Sequence, residues 1–113
     1  MPRDDAYLLD IAHAARLIRD FVQGIDLESF LGDEKTLAAT LHEFTILGEA
    51  VNRLSEEFKE RHSEIQWQKI VGLRNRVVHE YDRVDLEEIW KAATRDIPRF
   101  IQSLEPLLPK ENG

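Results

Sequence analysis

Along most of the chain, apolar positions recur at steps of three and four residues, the spacing that lines one face of an α-helix. From Asp4 to about Gln23, Tyr7, Leu8, Ile11, Ala15, Ile18, Phe21 and Val22 follow this rule and predict a first helix that Gly24 stops. The segment GIDLESFLGD reads as a short connection whose Leu27, Phe30 and Leu31 fold back onto the core. Asp33 then opens a second helix as its N-cap. Leu37, Leu41, Phe44, Leu47, Val51, Leu54 and Phe58 sustain one stripe along it, which makes it the longest helix, ending near Arg61. Gly48 lies inside that helix, where it costs about 1 kcal/mol relative to Ala, so a close helix crossing is expected there. A third helix is predicted from about Gln66 to near Tyr81. A fourth starts at Asp85, which caps Leu86, with Glu88 placed to complete a capping box and Pro98 expected to kink the helix.

With no strand pattern, these elements predict an all-α fold, an antiparallel bundle of four to five helices forming one domain over residues 1–108. The tail, residues 109–113, is polar and expected to fray. Trp67 and Trp90 read as core anchors flanking the third helix, and the acidic run SEEFKERHSE as a solvated helix face.

Composition narrows the function classes. Of 113 residues, 42% are apolar and 33% charged, which suits a soluble globular chain. No window approaches 18 uninterrupted apolar residues, and Asp4 and Asp5 stand where a signal peptide needs a basic region, so a cytoplasmic protein with no membrane association is expected. The absence of cysteine excludes disulfides and thiolate metal sites. A net charge of -7 argues against broad, sequence-independent nucleic-acid binding, which rewards an extended basic face, so any such site must be local.

The candidate for that site is LRNRVVHEY, Leu73 to Tyr81. On a helical wheel Leu73, Val77 and Tyr81 join the apolar arc of Ile70, while Asn75, Arg76 and His79 form a polar stripe in which Asn75 and His79 are one turn apart. Arg74 falls inside the apolar arc and therefore needs a carboxylate, an open subunit cleft or a bound anion; Glu43 and Glu49 of the second helix are the candidate carboxylates. For cleavage of RNA, His79 can carry a proton from a 2′-hydroxyl or to a leaving oxygen, and Arg74 can stabilise charge on the phosphorane oxygens without a metal. One helix points the two about 140° apart. A two-fold dimer placing two copies of the third helix side by side would bring both residue types around one cleft.

Each residue also has a plainer reading. His79 is a helix-end histidine that closes the last carbonyls. Tyr81 is a core aromatic with a wet hydroxyl, Arg76 a solvated or RNA-facing charge, and His42 a surface histidine. His13, His42 and His62 are too scattered for a metal site, and no Gly-rich phosphate loop is present.

The stretch RNRVVHEY resembles the R-x-x-x-x-H-x-Y signature of HepT-like toxins, a branch of the HEPN superfamily of metal-independent ribonucleases. The flanks IQWQKIVGLRN and VDLEEIW, and FTILGEAVNRLS in the second helix, are similar to that family's blocks, and the resemblance runs from about Tyr7 to Leu108. It implies a HEPN-like bundle and a homodimer that cleaves RNA with Arg74 and His79, with Asn75 beside the arginine and no cofactor; a structured RNA such as tRNA is the expected substrate. It implies also that Tyr81 is modified by a partner antitoxin, a minimal nucleotidyltransferase of the MntA type, which uses ATP and magnesium to attach AMP. The chain departs from the family at KTLAATLHEF, where only Lys35 and His42 offer a basic residue early in the second helix. The rival reading is a catalytically inactive helical dimer that binds a nucleotidyltransferase, with Arg74 and His79 holding the dimer together.

Overall fold

Side-chain caps decide where the helices begin. In the computed structural model, which describes residues 2–109, α1 (Pro2–Val22) ends as Gly24 takes a left-handed φ of 79° that only glycine adopts without strain. Of the tail predicted to fray, residues 110–113 lie outside the described residues. The segment after Gly24 is not a plain connection. Asp26 accepts from Ser29 N at 2.8 Å and nucleates α2 (Leu27–Gly32), which buries Phe30 while Leu31 points outward, 44% exposed. Asp33 caps α3 (Glu34–Arg53) as predicted, accepting from Thr36 N at 3.1 Å.

The predicted long second helix is broken. Leu54 leaves the helix with extended backbone, and α4 (Glu56–Arg61) restarts behind Ser55, whose Oγ accepts from Phe58 N at 3.1 Å. The stripe of apolar residues continues through the break because Leu54 and Phe58 are both still buried, so periodicity alone conceals it. What locks the break is remote in sequence. The buried carboxylate of Asp4 accepts from Ser55 N at 2.9 Å and from Ser55 Oγ at 2.7 Å, pinning the start of α1 to the α3–α4 junction.

The third predicted helix is α5 (Trp67–His79), which stops before Tyr81 and passes into a 3₁₀ turn, Tyr81–Arg83. Asp85 caps α6 (Leu86–Lys91), accepting from Glu87 N and Glu88 N, but Glu88 does not close a capping box; its carboxylate pairs with Arg76 on α5. The helix then runs through a π-helical turn, Ala92–Asp96, into α7 (Ile97–Leu104) and a final 3₁₀ turn, Glu105–Leu107. Pro98, at the start of α7, has no N–H for the ladder, and the chain absorbs the missing bond by widening the preceding turn.

The result is an all-α bundle in which α1 and α5 both pack on α3, and α7 closes on α1. Ile11, Ile18, Phe44, Val51, Ile89 and Ile97 are almost fully buried at its centre, each contributing roughly 1.5–3 kcal/mol by burial. Trp67 is an anchor as expected, edge-on to Phe100 at 6.0 Å, with its indole N–H donated to His62 O at 3.1 Å. Trp90 is only half-buried and covers Phe30 at 5.2 Å.

Gly48 sits where α3 meets α5. A Cβ there would lie 2.2 Å from Arg74 Cβ and 2.6 Å from Cγ, close to the root of that side chain, where rotation offers little relief. The close crossing expected from the sequence is therefore present, and Arg74 is the residue at its centre.

Two outcomes follow. Gly48→Ala gains about 1 kcal/mol of helix propensity but overpacks the crossing at a cost of about 1–3 kcal/mol, so its urea midpoint should fall below wild type; a rise would contradict the crossing. Asp4→Ala strands two donors of Ser55 and should lower stability by about 1–3 kcal/mol at pH 7. Burial raises the Asp4 pKa, but the hydrogen bonds from Ser55 outweigh it and hold the pKa below the ordinary value. Its contribution is therefore present above about pH 4 and lost as pH falls through the depressed folded value, so wild type and Asp4→Ala should converge in acid unfolding, and a gap that widens there would contradict this.

Candidate functional site

The α3–α5 crossing fixes what surrounds Arg74. Its Nη2 lies 3.4 Å from Glu49 Oε1, so of the two carboxylates expected to partner it the structure selects Glu49. Its Nη1 donates to Asn75 Oδ1 at 3.1 Å, while Nε is buried with no partner among the described residues. The side chain is 22% exposed, so the guanidinium sits at the rim of the core and is not sealed in it. A contact of 3.4 Å is longer than the roughly 2.7–2.9 Å of a strong charge-assisted bond, so Glu49 holds the cation loosely enough for an incoming phosphate oxygen to compete. Asn75 is exposed, and its amide oxygen orients the guanidinium from the next position on the helix.

His79 is the last residue of α5 and is exposed. Its side chain does not close the helix carbonyls, contrary to the helix-end reading; the backbone N–H of Glu80 donates to Arg76 O at 2.8 Å. Among the described residues the imidazole has no hydrogen bond, including none to Asn75 one turn away, which leaves both ring nitrogens open to a ligand. Tyr81 is not a core aromatic. It stands in the 3₁₀ turn with 61% of its surface exposed.

Arg76, expected to be a solvated or RNA-facing charge, is exposed, and its guanidinium pairs with Glu88 between α5 and α6. It lies about 200° around the helix from Arg74, on a different face. His42 is exposed, as expected of a surface histidine, and it lines a groove shared with Tyr81. No sequence spacing links the two, because they meet only through the packing of α3 on α5.

Within one chain the constellation is incomplete. Arg74 and Asn75 are hydrogen-bonded, and no hydrogen bond joins either of them to His79. Among the described residues no group of three His, Cys, Asp or Glu side chains is placed to hold a metal ion, and no helix is long and apolar enough to cross a membrane.

The sequence itself matches a known family. Residues 11–107 match the family model described as "Ribonuclease HepT-like". A protein of Thermococcus cleftensis named "Probable ribonuclease HepT" is 39% identical over 101 residues, covering 89% of this chain and 92% of that protein. A relative from Caldanaerobacter subterraneus subsp. tengcongensis, named as a "Putative RNase", is 34% identical over 105 residues, 93% of this chain and 94% of its own length. Another of the same designation, from Methanocaldococcus jannaschii, is 30% identical over the whole chain and 95% of its own length. No solved structure matches. A family match spanning most of the helical bundle and the whole of LRNRVVHEY places the protein: it belongs to the HepT-like ribonuclease family.

Proposed function

We propose that this protein is a metal-independent endoribonuclease, the toxin half of a type VII-like toxin–antitoxin pair, which cleaves RNA such as tRNA at a site completed by a homodimer. The observation that carries the reading is the state of Arg74 and His79: a guanidinium at the core rim, loosely paired to Glu49 and oriented by Asn75, five positions from an exposed imidazole with both nitrogens open. A second copy of α5 across a two-fold axis supplies what one chain lacks, with an imidazole of one protomer near the guanidinium of its partner.

In such a cleft one imidazole takes the proton of a ribose 2′-hydroxyl as that oxygen attacks phosphorus, and a protonated imidazole returns a proton to the departing 5′-oxygen. Arg74 stabilises the charge that grows on the phosphorane oxygens. The products are a 2′,3′-cyclic phosphate and a free 5′-hydroxyl. Asn75 keeps Arg74 in position. Silencing follows from the exposure of Tyr81: AMP attached to its hydroxyl by a nucleotidyltransferase antitoxin, using ATP and magnesium, adds a bulky anion two residues from His79 and repels the RNA backbone.

One experiment addresses the whole reading. The protein is purified alone and after coexpression with a neighbouring nucleotidyltransferase, then incubated with total RNA in EDTA. The protein alone should release fragments ending in 2′,3′-cyclic phosphate, with His79→Ala about 100-fold slower or worse and still dimeric. The coexpressed protein should carry one added AMP on Tyr81 and cleave nothing. If wild type never cleaves and His79→Ala falls apart into monomers, the inactive partner-binding dimer is the correct reading.

A further inference from the structure

Beside the catalytic candidates lies a groove of about 420 Å³, formed where the C-terminal end of α5 crosses α3. It is lined by Ala38, Leu41, His42 and Thr45 from α3 and by Val77, Val78 and Tyr81 from α5 and the turn after it. Three features set it apart from an ordinary surface dip. Tyr81 exposes 61% of its surface and Val78 42%, so an aromatic face and an aliphatic one are both presented to solvent. The turn that carries Tyr81 is closed by Arg83 N donating to Glu80 O at 2.8 Å. And the polar groups are of mixed capacity: the Thr45 hydroxyl spends its proton on Leu41 O at 3.2 Å and can only accept, whereas the His42 imidazole both donates and accepts.

A flat, apolar ring system with donors and acceptors along its edge fits those walls. Tyr81 is also two residues from His79, no more than about 7 Å of chain, so a nucleotide bound here belongs to the same strand as a phosphate at the imidazole. Charge points the same way. At a net -7 the protein gains little from phosphate neutralisation, so affinity for RNA must come largely from contacts to bases.

We infer that this groove is a nucleobase subsite: the base of a nucleotide next to the scissile phosphate stacks on Tyr81 over Val78 and Leu41, with His42 and Thr45 meeting its edge. The inference rests on the ribonuclease reading above for the identity of the strand. It gives Tyr81 a role in the unmodified protein, so that a nucleotide attached there removes a binding surface as well as adding charge.

The test uses the full-length dimer carrying His79→Ala, which keeps RNA intact, and follows a fluorescein-labelled decamer of mixed-sequence single-stranded RNA by anisotropy. Adding Tyr81→Ala should weaken binding about five- to a hundred-fold, the range for loss of one stacked base, while Tyr81→Phe stays within about two-fold. Ala38→Trp, at an exposed helix position that leaves Tyr81 untouched, should fill the groove and weaken binding by at least about five-fold. Unchanged affinity in Tyr81→Ala and Ala38→Trp overturns the subsite, as does no RNA binding at all. Dissociation of the RNA-free dimer by Tyr81→Ala also overturns it, by assigning the groove to a second copy of the chain. Cleavage by wild type with Tyr81-independent binding leaves the ribonuclease reading standing without the subsite; Tyr81-dependent binding without cleavage does the reverse.

Discussion

The contact between Gly48 and Arg74 is the constraint on which the rest of the molecule depends. Only a residue without Cβ lets α5 come so close to α3, and that closeness brings Arg74 against Glu49 while keeping its guanidinium at the core rim. Were the helices further apart, the arginine would be an ordinary surface charge. Were Glu49 tighter and the site sealed, it would be a structural ion pair with no capacity for a substrate anion. The observed state lies between, with a long pair, an amide oxygen from Asn75 and a buried Nε left unsatisfied, an arrangement less stable than full pairing and suited to an incoming oxyanion.

The same crossing explains how an acidic chain can act on a polyanion. At a net charge of -7 it gains little from gathering RNA by charge alone, and Arg76, the other cation of the motif, pairs with Glu88. What remains is a small site: one loosely held guanidinium, one open imidazole and, beside them, an aromatic groove. On the proposed reading, affinity and chemistry are concentrated in the short segment from Arg74 to Tyr81 and in the part of α3 it packs against, and a two-fold dimer would double that segment without enlarging the charged surface.

Much of this was legible in the sequence, for reasons that differ by residue. The helices followed from three- and four-residue spacing, and Asp33 and Asp85 announced their starts by cap chemistry. Gly48 signalled a crossing because a glycine inside a strong apolar stripe needs a reason. Arg74 signalled a buried-edge cation because the wheel places it in the apolar arc. The failures share a cause, which is that long-range packing overrode local pattern. The break at Leu54–Ser55 is invisible to periodicity because both sides stay buried, and it is set by Asp4, fifty residues upstream. Glu88 left its expected box for Arg76, Leu31 turned outward when a short helix formed behind Asp26, and the groove joining His42 to Tyr81 arises only when α3 and α5 are in place.

The central claim is spatial: two copies of α5 must approach each other for His79 of one protomer and Arg74 of its partner to share a cleft. The chain contains no cysteine, so a single Glu80→Cys at an exposed position beside His79 can carry a spin label without further engineering. Pulsed dipolar spectroscopy on that dimer should give one narrow inter-label distance of about 20–30 Å, the 8–10 Å spacing of packed helices plus the reach of two labels. A monomeric protein with no dipolar signal, or a separation beyond the 42 Å long axis of the chain, would put the two helices on opposite sides and contradict the account.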